Sequence, residues 1–399
     1  VNKYEKMTPQ GTRDLLFEEC DIRRNIETGL SAMFKSRGYK KVITPTLEFF
    51  DVFDRPSAGM KPEDIYIFPD YAGRLMVLRP DSTMPIARIA ATRLRNADLP
   101  LRLYYNQRVF RRAKSYSGHS DEATQSGIEL IGSNGLSADL EVIVTALDAL
   151  ERCGTGDFRL EICHAGFYKA LIGSLRADKE KTEAISELIE TKNFAALNDL
   201  LSELPENDAA RVLRDLPRLF GGREVLEKAA ALCEKEEELA PLRYLDELYG
   251  KLSQICLEDK ISIDLGLVHR NNYYTGVVFR GFVEGSGLTV LSGGRYDKLI
   301  GEFGRNLPAI GFGVEIDALA AVALNGELKP APAPDVLIYG EKGCEAQAIA
   351  HMRLLTQQGL ICENSLATSE ASAVKYAKGI GINRMDSVSE TGVTTKRID

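Results

Sequence analysis

Leu267-Val268-His269-Arg270-Asn271-Asn272-Tyr273-Tyr274-Thr275-Gly276-Val277-Val278-Phe279 is the run from which the fold is read. Its last third is β-branched and aromatic, and strand-like sequence spans Val277–Phe282, with Ile261–Leu265 before it and Leu288–Leu291 after it. Upstream, from about Ala177 to Gly250, the chain is instead rich in Glu, Lys, Leu and Ala. There Ile185, Leu188 and Ile189, then Leu197, Leu200, Leu201 and Leu204, recur at helical spacing, with breaks near Pro205 and Gly221-Gly222. Strands therefore resume after a helical insertion, and one sheet domain is interrupted by helices. On the residues alone, Tyr273 and Tyr274 read as neighbours packed on opposite faces of a strand.

Toward the start, Ile22, Ile26, Leu30, Met33 and Phe34 predict a helix over Leu15–Arg37, with Gly38 as its stop. Lys40–Phe50 reads as a strand bent at Pro45. Short strand-like runs follow at Ile65–Phe68, Leu75–Leu78, Leu101–Asn106 and Ile128–Ile131, separated by turn residues, which predicts a largely antiparallel sheet. Lys329–Asp335 is a proline-spaced linker. Beyond it Val336–Tyr339 and Leu360–Cys362 read as strands, Cys344–Gln358 and Glu370–Lys378 as helices, whereas Ser387–Asp399 is polar and patternless. The expected fold class is α+β: an antiparallel core over 1–328 with a helical insertion at about 177–250, a linker at 329–335, and a small, shortened α/β domain at 336–399.

Composition excludes several classes. The 399 residues are 44% hydrophobic and 27% charged, ordinary for a globular chain. No apolar run is long enough for a bilayer, and without a basic, apolar, small-residue stretch at its start the sequence is not expected to be secreted. The 7 cysteines are scattered and never form Cys-x-x-Cys, which predicts reduced thiols in a cytoplasmic protein. With only 4 histidines, none at ligand spacing, no metal and no cofactor are expected. A net charge of −8 gives no whole-surface field for nucleic acid, which is weak evidence against RNA binding.

Several segments carry chemistry. Gly11-Thr12-Arg13-Asp14 opens the series, and the helix and strand ending at Pro45 follow. Leu78-Arg79-Pro80-Asp81-Ser82-Thr83 places an anion and a hydroxyl two residues apart. On those six residues alone Asp81 reads equally as a turn residue after proline or as the partner of an ammonium. Val109-Phe110-Arg111-Arg112-Ala113 offers a guanidinium fork suited to a carboxylate. Asp121 to Gly132 contains Gln125 and Glu129; Ser292-Gly293-Gly294-Arg295-Tyr296-Asp297 supplies glycines where a side chain would block close approach. Ala309 to Leu319 closes the series.

In this order and spacing the segments resemble the catalytic core of histidyl-tRNA synthetases over roughly residues 9 to 325, a class II aminoacyl-tRNA synthetase-like fold. The resemblance implies a histidine-binding set of Asp81, Thr83, Arg111, Gln125, Glu129, Tyr273 and Tyr274. The first two would hold the α-ammonium, Glu129 the imidazole side, and the tyrosines would shape the pocket. It also shows what is missing. His269, Asp121 and Ala318 stand where the family has arginines serving activation and phosphate, and Ala113 where it has a glutamate contacting adenine. Losing one preorganised electrostatic donor costs on the order of a hundred- to a thousandfold in rate.

A pocket kept without its activation residues is similar to the regulatory subunit of two-subunit ATP phosphoribosyltransferase. That family implies a non-catalytic role in the first step of histidine biosynthesis: activating a short-form catalytic subunit and mediating histidine feedback, with histidine as allosteric ligand. It implies a hetero-octamer whose synthetase-like subunits form a homodimer through the class II interface, with no tRNA partner and no membrane. Two other readings stand beside it. A divergent active histidyl-tRNA synthetase would carry a full anticodon-binding domain, which 336–399 resembles only at its start. A histidine-binding module could instead serve some other partner.

Overall fold

The computed structural model describes residues 4–55, 59–112, 120–153, 156–175, 177–205, 207–255, 257–267, 273–325 and 333–398. The chain divides into two compact units, Val1–Gly326 and Glu327–Asp399.

The first unit begins with α1 (Glu18–Ser36), whose Leu30 and Phe34 are buried and whose first turn carries Glu18, Glu19 and Asp21 against the helix dipole. Gly38, at φ +81, turns the chain just past its end. The bend at Pro45 separates two sheets. β1 (Lys40–Lys41) joins the main sheet, while β2 (Leu47–Phe49) pairs with β4 (Leu75–Leu78), which also pairs with β3 (Ile67–Pro69). After α2 (Thr83–Ala91) come β5 (Leu101–Phe110) and β6 (Glu122–Ile131), longer than the apolar runs suggested because their polar residues line a site. Next are α3 (Leu136–Arg152), β7 (Phe158–His164) and α4 (Ala165–Ser174).

The insertion is α5 (Lys179–Glu190), α6 (Phe194–Ser202), α7 (Asp208–Asp215), β8 (Phe220–Gly221), α8 (Glu224–Ala230) and α9 (Glu236–Ser253). Asp178, Asn193 and Asn207 cap α5, α6 and α7, each accepting from the backbone N–H three residues on. The Gly221 break is more than a loop: β8 pairs with β9 (Ile261–Asp264) at the sheet edge. There follow β10 (Val277–Val283), β11 (Leu291–Arg295), β12 (Ala309–Glu315) and α10 (Ile316–Asn325). The main sheet runs β1-β5-β6-β12-β11-β10-β7-β9-β8, antiparallel except for β1 with β5 and β7 with β9.

The expected strand at Leu288–Leu291 is corrected, because β11 starts only at Leu291. The Ser286 hydroxyl accepts from the Leu288 N–H at 3.1 Å, holding Leu288 in the turn.

The second unit contains β13 (Val336–Gly340), α11 (Glu345–Gln357), β14 (Cys362–Asn364), α12 (Glu370–Ile380), β15 (Arg384–Ser389) and β16 (Gly392–Arg397), in sheet order β14-β13-β15-β16. The patternless reading of Ser387–Asp399 is overturned by the β15–β16 hairpin, registered from Arg384↔Arg397 to Ser389↔Gly392. β16 is an edge strand exposed along its length, so it has no apolar face to betray it. No helix among the described residues is long and apolar enough to cross a membrane. Among them, too, no His, Cys, Asp or Glu group is arranged to hold a metal.

Candidate functional site

Strands β6, β12 and β11, the start of α2 and the segment before β10 enclose a cavity of about 370 Å³. Asp81, Thr83, Arg111, Gln125, Glu129, Tyr273 and Tyr274 all line it. Seven residues spread over 194 positions of chain thus meet in one place: the turn into α2 brings Asp81 and Thr83, the end of β5 brings Arg111, β6 brings Gln125 and Glu129, and the segment before β10 brings the two tyrosines.

Asp81 uses one oxygen as a turn residue and leaves the other uncommitted. Its Oδ1 accepts from the Met84 N–H at 3.0 Å and caps α2, while its Oδ2 is buried and finds no partner among the described residues. Burial holds the carboxyl above its usual range, opposed by the Met84 N–H and by the nearby charge of Arg111. A buried carboxylate oxygen left open toward a cavity is a receptor for a cation. Arg111 donates through Nε to the Pro80 carbonyl at 2.7 Å, so the guanidinium is fixed beside Asp81. An anion and a cation side by side match the head group of an α-amino acid.

Glu129 lies deeper, on β6. Thr83 donates to its Oε1 at 2.8 Å and Tyr296 donates to its Oε2. Burial, as the largest cause, pushes its carboxyl up to about 8. This depth is possible only because Gly311 faces it on the next strand, where a Cβ would collide with the carboxylate. Tyr273 and Tyr274 precede β10 instead of alternating within it. Their rings lie 4.6 Å apart and both reach the cavity, so the opposite-face reading does not hold. Lys169 donates to the Tyr274 carbonyl at 2.6 Å, and a Cβ on Gly294 would lie 2.8 Å from the Tyr274 ring. Gln125 is held between the Tyr105 hydroxyl (3.4 Å) and Glu315 (3.1 Å).

The wall also contains residues outside the predicted set, among them the tyrosines Tyr105 and Tyr296. Tyr105 sits inside the Leu101–Asn106 run, where nothing distinguished it from a packing residue. Tyr296 follows Gly-Gly-Arg directly, and its place in that motif was the available signal.

The side expected to have lost nucleotide contacts is tied up internally. Tyr66 donates to Asp121, and the Asp121 N–H donates to the Gly11 carbonyl at 2.7 Å. Arg23 pairs with Asp317, which also accepts from the Thr124 N–H at 2.5 Å. Ala318 is half-buried against the core and offers no charge. Ala113 and His269 lie outside the described residues.

Comparison with known proteins identifies relatives of the whole chain. The family described as histidyl-tRNA synthetase matches residues 11–319. The ATP phosphoribosyltransferase regulatory subunit of Clostridium kluyveri is 40% identical over 378 residues, 94% of this chain and 97% of that protein. The protein of the same name from Bacillus cereus is 36% identical over 383 residues, covering 95% and 90%. Among solved structures, an ATP phosphoribosyltransferase regulatory subunit/histidyl-tRNA synthetase from Bacillus halodurans superposes with TM-score 0.83 at 30% identity, over 94% of this chain and 97% of that one. Histidyl-tRNA synthetase from Nostoc sp. PCC 7120 shares the fold, with TM-score 0.79 at 20% identity and coverage of 99% and 97%.

Proposed function

Because this chain belongs to the family of ATP phosphoribosyltransferase regulatory subunits, built on the histidyl-tRNA synthetase fold, we propose that it binds free histidine in this cavity and regulates a catalytic phosphoribosyltransferase. The observation that carries the reading is the open Asp81 Oδ2 beside Arg111, with Glu129 and two tyrosines deeper in. Ammonium and carboxylate of the ligand meet the first pair; the imidazole lies against Glu129, Tyr273 and Tyr274. Where the family has arginines, the described residues Asp121 and Ala318 offer a triphosphate an anion and a methyl group. The chain is a histidine sensor with no aminoacylation activity, no resident cofactor and no tRNA partner.

Its partner is a short catalytic subunit, which it activates and on which it imposes histidine feedback in the first step of histidine biosynthesis. Histidine regulates only by binding one state of the assembly more tightly than another, and a coupling of about 1–3 kcal/mol gives roughly five- to 150-fold inhibition.

Two copies of the chain pair through the small sheet. The register places Leu47, Phe49, Phe68, Met76 and Leu78 on one face of β2, β4 and β3, and none of them is buried. An apolar sheet face of this kind is covered in the assembly by a second copy, and these dimers complete a hetero-octamer with the catalytic chains.

Mixing the purified chain with a short phosphoribosyltransferase tests the reading: activity rises on mixing and falls on adding histidine. Histidine-dependent exchange of pyrophosphate into ATP by the chain alone would instead identify an active synthetase.

A further inference from the structure

Glu315 ends β12 outside the cavity lining, yet it reaches two residues that form the wall. Its Oε1 accepts from Gln125 Nε2 at 3.1 Å and lies 3.6 Å from Arg111 Nη1. The Nε edge of Arg111 is committed to the Pro80 carbonyl, so the Nη edge is the part that meets a ligand carboxylate, and a protein carboxylate already stands there. Gln125 is similarly engaged, its amide nitrogen toward Glu315 and its oxygen toward Tyr105.

The Arg111–Glu315 approach is longer than a hydrogen bond, and the side chains are 47% and 24% exposed. A partly solvated pair of this length is weak and opens readily. A ligand carboxylate has the same chemistry as Glu315 and competes for the same guanidinium.

We infer that Glu315 is a tethered competitor, a specificity-setting carboxylate that holds Arg111 and Gln125 until the carboxylate of an incoming α-amino acid displaces it. This deepens the assignment of the cavity as the histidine site and rests on it. Two consequences follow. Affinity for histidine is attenuated by the fraction of time Arg111 spends with Glu315. A decarboxylated amine of the same shape brings no competing anion, so it gains nothing from removing Glu315 and loses a favourable neighbouring charge.

The test is calorimetric titration of the full-length chain and its E315Q and E315A variants with L-histidine and with histamine. E315Q keeps an oxygen for Gln125 Nε2 while removing the charge, and it carries the test should E315A fold poorly. The expected result is histidine binding about three- to tenfold tighter in E315Q, with histamine unchanged or weaker. A general loosening of the site would move both ligands together. If the native chain binds histidine but the histidine-to-histamine ratio stays flat or falls in E315Q, this inference is overturned and the histidine site stands. If no protein binds histidine at millimolar ligand, both are overturned.

Discussion

Tyr296 donates its phenolic hydrogen to Oε2 of Glu129, while Thr83 donates to Oε1 at 2.8 Å, so a fully buried carboxyl group has both oxygens engaged. Burial outweighs those two hydrogen bonds, and the nearby charge of Asp81 adds to it, leaving the group at about 8 in the folded protein.

The pH dependence follows from that elevation. In the unfolded chain the carboxyl ionises near 4.5, so between about 4.5 and 8 the unfolded state binds fewer protons and stability falls as pH rises. Glu129→Gln stays neutral throughout. Its Tm relative to the native chain therefore climbs from about pH 5 to about pH 8. Thermal melts across that range check the sign, and a constant difference would place an ionised Glu129 in the folded state.

Asp81 caps α2 with Oδ1 and leaves Oδ2 open toward the cavity. Asp81→Asn keeps an oxygen to cap α2 and removes the anion facing the cavity. Charge-assisted hydrogen bonds contribute about 1.5–3 kcal/mol, so histidine affinity is expected to fall at least about tenfold with little loss of Tm. Asp81→Ala weakens histidine feedback in the same way while the complex with the catalytic subunit still assembles. Inhibitor potency equal to that of the native assembly would exclude Asp81 from the site.

How far the sequence spoke depends on whether a residue's role is set by its neighbours in the chain. Leu30 and Phe34 on α1, or Leu197 and Leu201 on α6, announce themselves because helical spacing is a local code. The seven pocket residues were legible through motif resemblance, since no periodicity brings Asp81 to Glu129 or Tyr274. β16 was illegible: an exposed edge strand reading Gly-Val-Thr-Thr-Lys-Arg is held by backbone pairing to β15, which leaves no mark on side-chain pattern. The pairing of Glu315 with Arg111 and Gln125 was invisible for a related reason. It joins residues 204 and 190 positions apart through the placement of β5, β6 and β12.

Gly311 is where the fold makes room for Glu129. Gly311→Ala would drive a methyl group into that carboxylate and into the Ile128 carbonyl, and overpacking of this kind costs about 1–3 kcal/mol. A lowered Tm together with loss of histidine binding is expected. Gly250, inside α9 with open space around it, is the contrast: Gly250→Ala stabilises by about 0.5–1 kcal/mol. Equal effects at the two glycines would show that the close strand approach at Gly311 is not a constraint.

The apolar face of the small sheet makes its own forecast. Leu47 and Phe49 remain 47% and 43% exposed on β2. Leu47→Asp with Phe49→Asp leaves the isolated fold intact, since neither side chain is buried within it. The expected outcome in sedimentation is a dimer for the native chain and a monomer for the double variant. Persistence of the dimer would move the interface elsewhere.

Arg295 ties the insertion to the pocket. Its Nε donates to Asp139 Oδ1 at 2.8 Å and its Nη1 to Asp297 Oδ1 at 3.0 Å, while Tyr244 of α9 donates to the other Asp139 oxygen. The Asp139 side chain is fully buried, so its charge is tolerable only while Arg295 faces it. The Arg295 carbonyl also receives the Thr275 N–H at 2.7 Å, next to Tyr274, and Tyr296 is the following residue. Arg295→Met strands the carboxylate and is expected to cost about 3–5 kcal/mol in a denaturant titration. Removing both charges, in Arg295→Met with Asp139→Leu, abolishes the stranded anion, so the pair should cost less than Arg295→Met alone. Histidine affinity separates the remaining roles. If the network positions the tyrosines, the double variant regains stability and still binds histidine weakly; if it serves stability alone, binding returns along with it.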